Sequence, residues 1–217
     1  MLDPAWATPS IRAALSSGSY EQAERGVLGT TLSPNDTYLE LGSGIGVLAT
    51  LAARRVGSEN VVAIDADPAI AAVARETAAL NGHAIDVRNV VLLHGPEEAT
   101  ASFYVSPDFR VSSLCPPSAG KNGSAPLRRL QVPTVDAYAT IAGIAATYLM
   151  VDIEGAEMHL LRSPLPDCVR TICVELHTEA AGIDTQSEML AALLNGGFQL
   201  DIGRSDLPVL LFTRRGI

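Results

Sequence analysis

The sequence predicts an α/β protein: a Rossmann-like, doubly wound, mostly parallel sheet of about seven strands that ends in an antiparallel hairpin. Three observations lead there. Short apolar runs alternate with Ala- and Leu-rich helical stretches through the first hundred residues, as in a parallel sheet covered on both faces. A glycine cluster, Gly42-Ser-Gly-Ile-Gly46, stands between the first such run and the helix after it. Near the C-terminus, runs at 198–202 and 209–214 are separated only by a turn with Gly203 and Pro208.

Each element has its own signal. Residues 1–36 read as a helical extension with Ile11, Leu15, Val27 and Leu28 as its apolar positions. Strand-like runs follow at 37–41, 60–65 and 90–94. Between them, 47–55 reads as a helix stopped by Gly57. A second helix starts with Asp67 as N-cap and Pro68 at the first position, where a missing N–H costs nothing, and ends at Asn81-Gly82. β character returns at 103–105. The Pro-, Gly- and Ser-rich segment 115–131 reads as a loop, either a lid or plain disorder. A helix near 135–142, a strand at 148–152, a helix at 155–162 and a strand at 169–177 come next. Thr185 and Glu188 form a capping box for a further helix, which Asn195-Gly-Gly197 closes.

Composition sets the bounds. The 217 residues suit a single domain over 1–217, with a core large enough to need no staple. Asp and Glu number 24 against 15 Lys and Arg, for a net charge of −9. Such a surface repels phosphate backbones, so no nucleic-acid partner is expected. No apolar run reaches the ~18 residues of a membrane span, and no leader is evident, so no membrane partner and a cytoplasmic location are expected. Cys115, Cys168 and Cys173 lack metal-site spacing.

The glycine loop selects its ligand. Glycines let the backbone turn tightly and approach a bound molecule, and the following helix N-terminus presents amides to it. A dinucleotide loop would carry its third glycine at position 47, which is Val. Glu40 precedes the first glycine by two residues; a carboxylate there suits a cationic amino group and would repel a pyrophosphate. Asp65, 19 positions beyond Gly46, ends the second run, where it can accept ribose hydroxyls. The ligand this pattern suits is S-adenosylmethionine (SAM). The expected cofactor residues in this pattern are Glu40, Gly42, Ser43, Gly44, Gly46, Asp65 and Ala66.

The chain resembles the FkbM family of class I SAM-dependent methyltransferases. The residues that carry this are Tyr38-Leu-Glu-Leu-Gly-Ser-Gly-Ile-Gly46, Ala63-Ile-Asp-Ala-Asp-Pro68, Val132-Pro-Thr-Val-Asp136, Val151-Asp-Ile-Glu-Gly-Ala-Glu157 and Cys173-Val-Glu-Leu-His177. Met150 stands where that family often has Lys, and Ser43-Gly44 where it often has Ala-Asn. The resemblance implies the class I methyltransferase fold and methyl transfer from SAM, commonly to a hydroxyl oxygen of a small-molecule substrate, with Glu21 near the cofactor's methionine end and His94 near its adenine. A non-catalytic SAM-binding protein and an NAD-type oxidoreductase are the alternatives.

Ligands of a parallel sheet bind at the carboxyl ends of its strands. Asp152 and Glu154 end one strand there; Glu175 and His177 end the next. All four are expected at the reacting centre, with Asp152 also near the cofactor and His177 or Asp152 as general base. A divalent metal such as Mg²⁺ held by the same groups is the alternative, ranked below a base without metal. Glu157 reads as equally suited to complementing a helix N-terminus.

Overall fold

The computed structural model describes residues 6–114, 128–177 and 183–216. In chain order the described elements are helices α1 (Pro9–Ser17) and α2 (Gln22–Thr31), strand β1 (Tyr38–Leu41), helix α3 (Val47–Val56), strand β2 (Val61–Ile64) and helix α4 (Pro68–Leu80). Strands β3 (Asp86–Arg88), β4 (Val91–Leu93), β5 (Thr100–Val105) and β6 (Arg128–Asp136) follow, then helix α5 (Ala137–Ile144), strand β7 (Tyr148–Val151) and helix α6 (Glu157–Leu161). Strand β8 (Thr171–Glu175), helix α7 (Ile183–Asn195) and strands β9 (Phe198–Leu200) and β10 (Val209–Arg214) complete the set.

The main sheet has seven strands in the order β3-β2-β1-β7-β8-β10-β9. The five strands from β3 to β8 pair in parallel, and β10 pairs antiparallel with both β8 and β9. This is the expected parallel sheet closed by a hairpin. Strands β1 and β7 are central and bury every residue, which is why they read as unbroken apolar runs rather than alternating ones. Alternation then sorts the side chains to two layers. Leu39, Leu41, Leu149 and Val151 pack with Ile141, Met158, Leu161 and Leu193 on one face. Tyr38, Tyr148 and Met150 pack with Leu28, Ala49, Ala52 and Ala71 on the other. Alanine on α3 and α4 lets those helices lie close to the sheet.

The Asp67 carboxylate accepts the Ala69 N–H, so the expected cap of α4 is present. Other expectations need correction. The run at 90–94 is not the third strand of the main sheet: β4 pairs with β6 in a separate three-stranded sheet, β4-β6-β5. The main sheet's edge is instead β3, only Asp86-Val-Arg88, too short and polar to signal itself. Residues 128–131 of the expected loop lie in β6, which pairs along β5 from Val105↔Arg128 to Thr100↔Pro133; 115–127 lie outside the described residues. Thr185 lies inside α7, so the helix begins at least two residues before the expected cap. Among the described residues, no helix is long and apolar enough to cross a membrane.

Candidate active site

At the carboxyl end of the parallel strands the chain path leaves a cavity of about 1060 Å³. It lies where β1 and β7, neighbours in the sheet but distant in sequence, send their following segments to opposite faces. Gly42, Gly44, Asp65, Ala66, His94, Glu21, Asp152, Glu154, Glu175 and His177 all line it. Of the residues expected there, Glu40, Ser43 and Gly46 do not. Glu40 is still within β1, beside Ala63 and Met150 in register, and receives a hydrogen bond from the Tyr38 hydroxyl at 3.2 Å. Ser43 is fully buried under the loop. Gly46 caps α3, and its Cα faces Ala74 of α4 so closely that a Cβ would come within 2.8 Å of that backbone.

The glycine loop is fixed from below. The N–H groups of Gly42 and Ser43 both donate to the Ile64 carbonyl, at 2.9 and 3.0 Å. Gly42 has φ +82°, and a Cβ on it would stand 1.6 Å from the Asp152 carbonyl oxygen. Gly44, at φ +49°, faces the Tyr20 hydroxyl, the Phe109 ring and Glu21. Its N–H donates to Asp65 Oδ2 at 3.0 Å, while Asp65 Oδ1 accepts from the Asp67 N–H at 2.8 Å. Burial raises the Asp65 carboxyl to about 7 despite those two bonds.

The N-terminal segment closes the glycine-loop end of the cavity. Ile11 and Tyr20 pack with Ile45 and Phe109 over the loop. The Arg110 guanidinium donates to Ser10 Oγ at 2.8 Å and pairs with Asp108. Glu21 has a left-handed backbone, φ +49°, and burial followed by the nearby Glu24 carboxylate pushes its carboxyl up to about 8. Glu24 is raised to about 7, chiefly by burial, and hydrogen-bonds the Glu175 carboxyl across from α2 to β8.

The second cluster converges as expected. Asp152 follows β7 directly, and Glu154 sits in the next turn with φ +52°, its carbonyl accepting from Ser113 Oγ at 3.0 Å. His177 Nε2 lies 3.5 Å from Asp152 Oδ1 and 3.3 Å from Glu154 Oε2. His177 Nδ1 lies 3.0 Å from Glu157 Oε1. Glu157 is only 1% exposed, and its carboxylate also accepts the N–H groups of Ile153 and Gly155, at 3.0 Å each. It therefore braces the turn that carries Glu154 and orients His177, a role that helix-terminus reasoning left out. The Asp-x-Glu-Gly-x-Glu spacing was the available signal. Asp152, Glu157 and His177 bring one ligand atom each within 4.8 Å of one another, but three N–H donors already occupy the Glu157 carboxylate. That leaves a cation few open donor lone pairs there.

Charge decides what the cavity suits. Carboxyl groups from α2 and its N-cap, β8 and the turns after β2 and β7 line it, and burial plus mutual repulsion hold Asp152 well above the ordinary carboxylate range. Glu21 Oε2, Glu40 Oε1 and Asp152 Oδ1 are buried with no hydrogen-bond partner among the described residues. Glu21 and Asp152 line the cavity, and a cationic ligand there would relieve both. SAM carries a sulfonium and an ammonium, so the glycine loop, Asp65 and this acidic wall fit it.

Comparison with known proteins agrees at the level of class. The family model of ribosomal protein L11 methyltransferase (PrmA) matches residues 26–105, less than half of the chain. The ribosomal protein L11 methyltransferase of Caldicellulosiruptor saccharolyticus is 39% identical over 67 residues, covering 31% of this chain and 22% of that protein. The one from Symbiobacterium thermophilum is 44% identical over 61 residues, covering 28% and 20%. The aligned stretch thus spans about a fifth of these curated relatives' length. Among solved structures, ribosomal protein L11 methylase from Lactobacillus delbrueckii subsp. bulgaricus aligns over 91% of this chain and 78% of its own, at 19% identity and TM-score 0.48. A TehB-like SAM-dependent methyltransferase from Corynebacterium glutamicum aligns over 94% of both chains at 11% identity and TM-score 0.49.

Two expectations change. The model that matches is that of L11 methyltransferases, so the FkbM resemblance holds only at the level of the class. The expected small-molecule substrate is overturned, because the matched relatives are named for a ribosomal protein acceptor. The chain has the fold of the class I SAM-dependent methyltransferases, and its likeness to the L11 enzymes lies in the half that carries the glycine loop and Asp65.

Proposed function

We propose that the protein is a SAM-dependent methyltransferase that modifies an amino group on a protein. The observation that carries this is the carboxylate-rich cavity at the β1/β7 crossing, with the glycine loop on one side and the Asp152–Glu154–His177 cluster on the other. Bound SAM supplies an activated methyl group. The residues assigned to hold it are Gly42 and Gly44 by close backbone approach, Asp65 at the ribose and Glu21 at the amino end. Asp152, Glu154, Glu175 and His177 then face the acceptor. An ammonium group is drawn into such a wall, whereas a neutral hydroxyl gains less from it. The names of the matched relatives support a protein acceptor. Alignment of acceptor and methyl group can by itself supply roughly 7–11 kcal/mol of the barrier.

The test is calorimetry with SAM and S-adenosylhomocysteine, followed by transfer of labelled methyl to ribosomal protein L11 as probe. Micromolar binding that Asp65→Ala weakens at least tenfold is the expected result. Folded protein that binds neither nucleoside ends the reading; binding without label on L11 removes that acceptor alone.

A further inference from the structure

We propose that Glu154 takes the proton from the acceptor, and that His177, clamped by buried Glu157, is a positioning residue that stays an imidazolium and offers no lone pair. The inference rests on the methyltransferase reading above and reverses the expectation that His177 or Asp152 is the base.

The geometry around His177 favours the cation over a free lone pair. Both ring nitrogens face carboxylates: Nδ1 faces Glu157, and Nε2 faces Asp152 and Glu154. Nδ1 is hydrogen-bonded to Glu157 at 3.0 Å, and Nε2 stands within ion-pair distance of two carboxyl groups, a setting that stabilises the protonated ring. Glu157 is buried and accepts two backbone N–H groups, so a cation beside it completes the arrangement. Glu154 differs. Its side chain is a quarter exposed and lines the cavity, and its left-handed backbone is held by Ser113 and followed by Gly155 at φ +96°. A non-glycine residue kept in that region points to a functional demand on where its side chain stands.

The titration of the two groups agrees. For His177, burial opposes the charge, but the Glu157 hydrogen bond and the carboxylates of Glu157, Glu154 and Glu175 outweigh it and raise the ring to about 9. For Glu154, burial raises the carboxyl and His177 lowers it, while Glu175, Glu157 and Asp108 raise it, leaving it at about 7. Arg110 also faces Glu154 from the segment after β5. At neutral pH Glu154 is therefore divided between its two forms, which suits a general base. The step is a plain transfer: the acceptor N–H bond breaks, an O–H bond forms on Glu154, and the nitrogen keeps the electron pair that attacks the methyl carbon. The C–S electron pair returns to sulfur, and Glu154 later gives its proton to solvent.

Two measurements decide it. In ¹⁵N-histidine NMR of the whole protein, His177 should remain imidazolium at pH 7.5 in the wild type. Glu157→Gln should shift its titration to lower pH. In methyl transfer to ribosomal protein L11, Glu154→Gln should lower kcat about 10²–10⁴-fold with S-adenosylhomocysteine affinity within about twofold. His177→Gln should move the acidic limb of the kcat profile upward by roughly one pH unit, since Glu154 loses its cationic neighbour, a shift that a merely structural residue would not produce. A neutral His177 at pH 7.5 overturns the proposal, as does a Glu154→Gln variant that turns over like the wild type. Failure to bind S-adenosylhomocysteine would instead strike the methyltransferase reading itself. If L11 accepts no methyl, the NMR state of His177 still decides.

Discussion

Replacing Gly42 with alanine tests how the two halves of the site are joined. The added Cβ would lie 1.6 Å from the Asp152 carbonyl oxygen, less than half of a normal contact, and that atom is backbone that no rotamer change can move. The positive φ adds about 1–2 kcal/mol for a residue with a Cβ. Relief of the clash must push Asp152 away from β1, straining the Asp152 N–H to Leu41 carbonyl bond of 2.9 Å. Overpacking of this kind adds about 1–3 kcal/mol, and the strained hydrogen bond about 0.5–1.5 kcal/mol. The sum, about 3–6 kcal/mol, is a large share of the roughly 5–15 kcal/mol that holds a domain folded. At about 2–4 °C per kcal/mol, the melting temperature should fall by roughly 6–24 °C. Gly44→Ala is the control. Its Cβ would first meet the Tyr20 hydroxyl at 3.2 Å, the free end of a side chain, so stability should drop by only about 1–2 kcal/mol. Scanning fluorimetry and urea unfolding with isothermal titration of S-adenosylhomocysteine read both variants. A Gly42→Ala protein that melts within about 2 °C of the wild type and binds normally would refute the close approach of the two loops.

Two further outcomes are expected. Burial and carboxylate crowding raise Glu21, Glu24, Asp65 and Glu154 above their ordinary values, to about 7 or 8, so between pH 4.5 and 8 the folded state binds more protons than the unfolded one. Stability without ligand should therefore fall as pH rises through that window, and His177, raised to about 9, adds to the fall above pH 6.5. SAM should flatten the curve, and a melting temperature that climbs from pH 5.5 to 8 would contradict the acidic cavity. Tyr38→Phe removes the hydroxyl that donates to Glu40, which is 1% exposed, and should lower stability by about 1–3 kcal/mol in urea unfolding. No measurable loss would show that Glu40 has another donor.

Much of the fold was legible because its strongest signals are local. Fully apolar strands, Asp67-Pro68 at a helix start and Asn-Gly turns declare themselves within a few residues. Strand β3 was not, because three residues at a sheet edge carry no pattern. Strand β6 was hidden by its polar first half and by Pro133, a residue that argues against a central strand, although β6 is the middle strand of the small sheet and Pro133 stands just before its pairing with β4 begins at Thr134. The acid and histidine cluster followed from the rule that ligands sit at strand ends. What the rule could not supply was Glu157, because its carboxylate turns back under the loop rather than out along α6. It also could not reveal that Glu40 stays buried in β1, bonded by Tyr38, and does not line the cavity. Those outcomes depend on side-chain direction, which neighbours in space decide.

The crevice between β1 and β7 arises from the path of the backbone, since their following segments depart to opposite sides whatever the side chains are. Its floor is therefore inherited with the architecture, while its chemistry is written by short segments at the rim: the turn at 152–157, the end of β8, the entry to α2 and the stretch around 106–114. Divergence of acceptor preference within such a scaffold needs edits only there. The aliphatic layers can drift under their own packing constraints, and the rim can be rewritten without disturbing them.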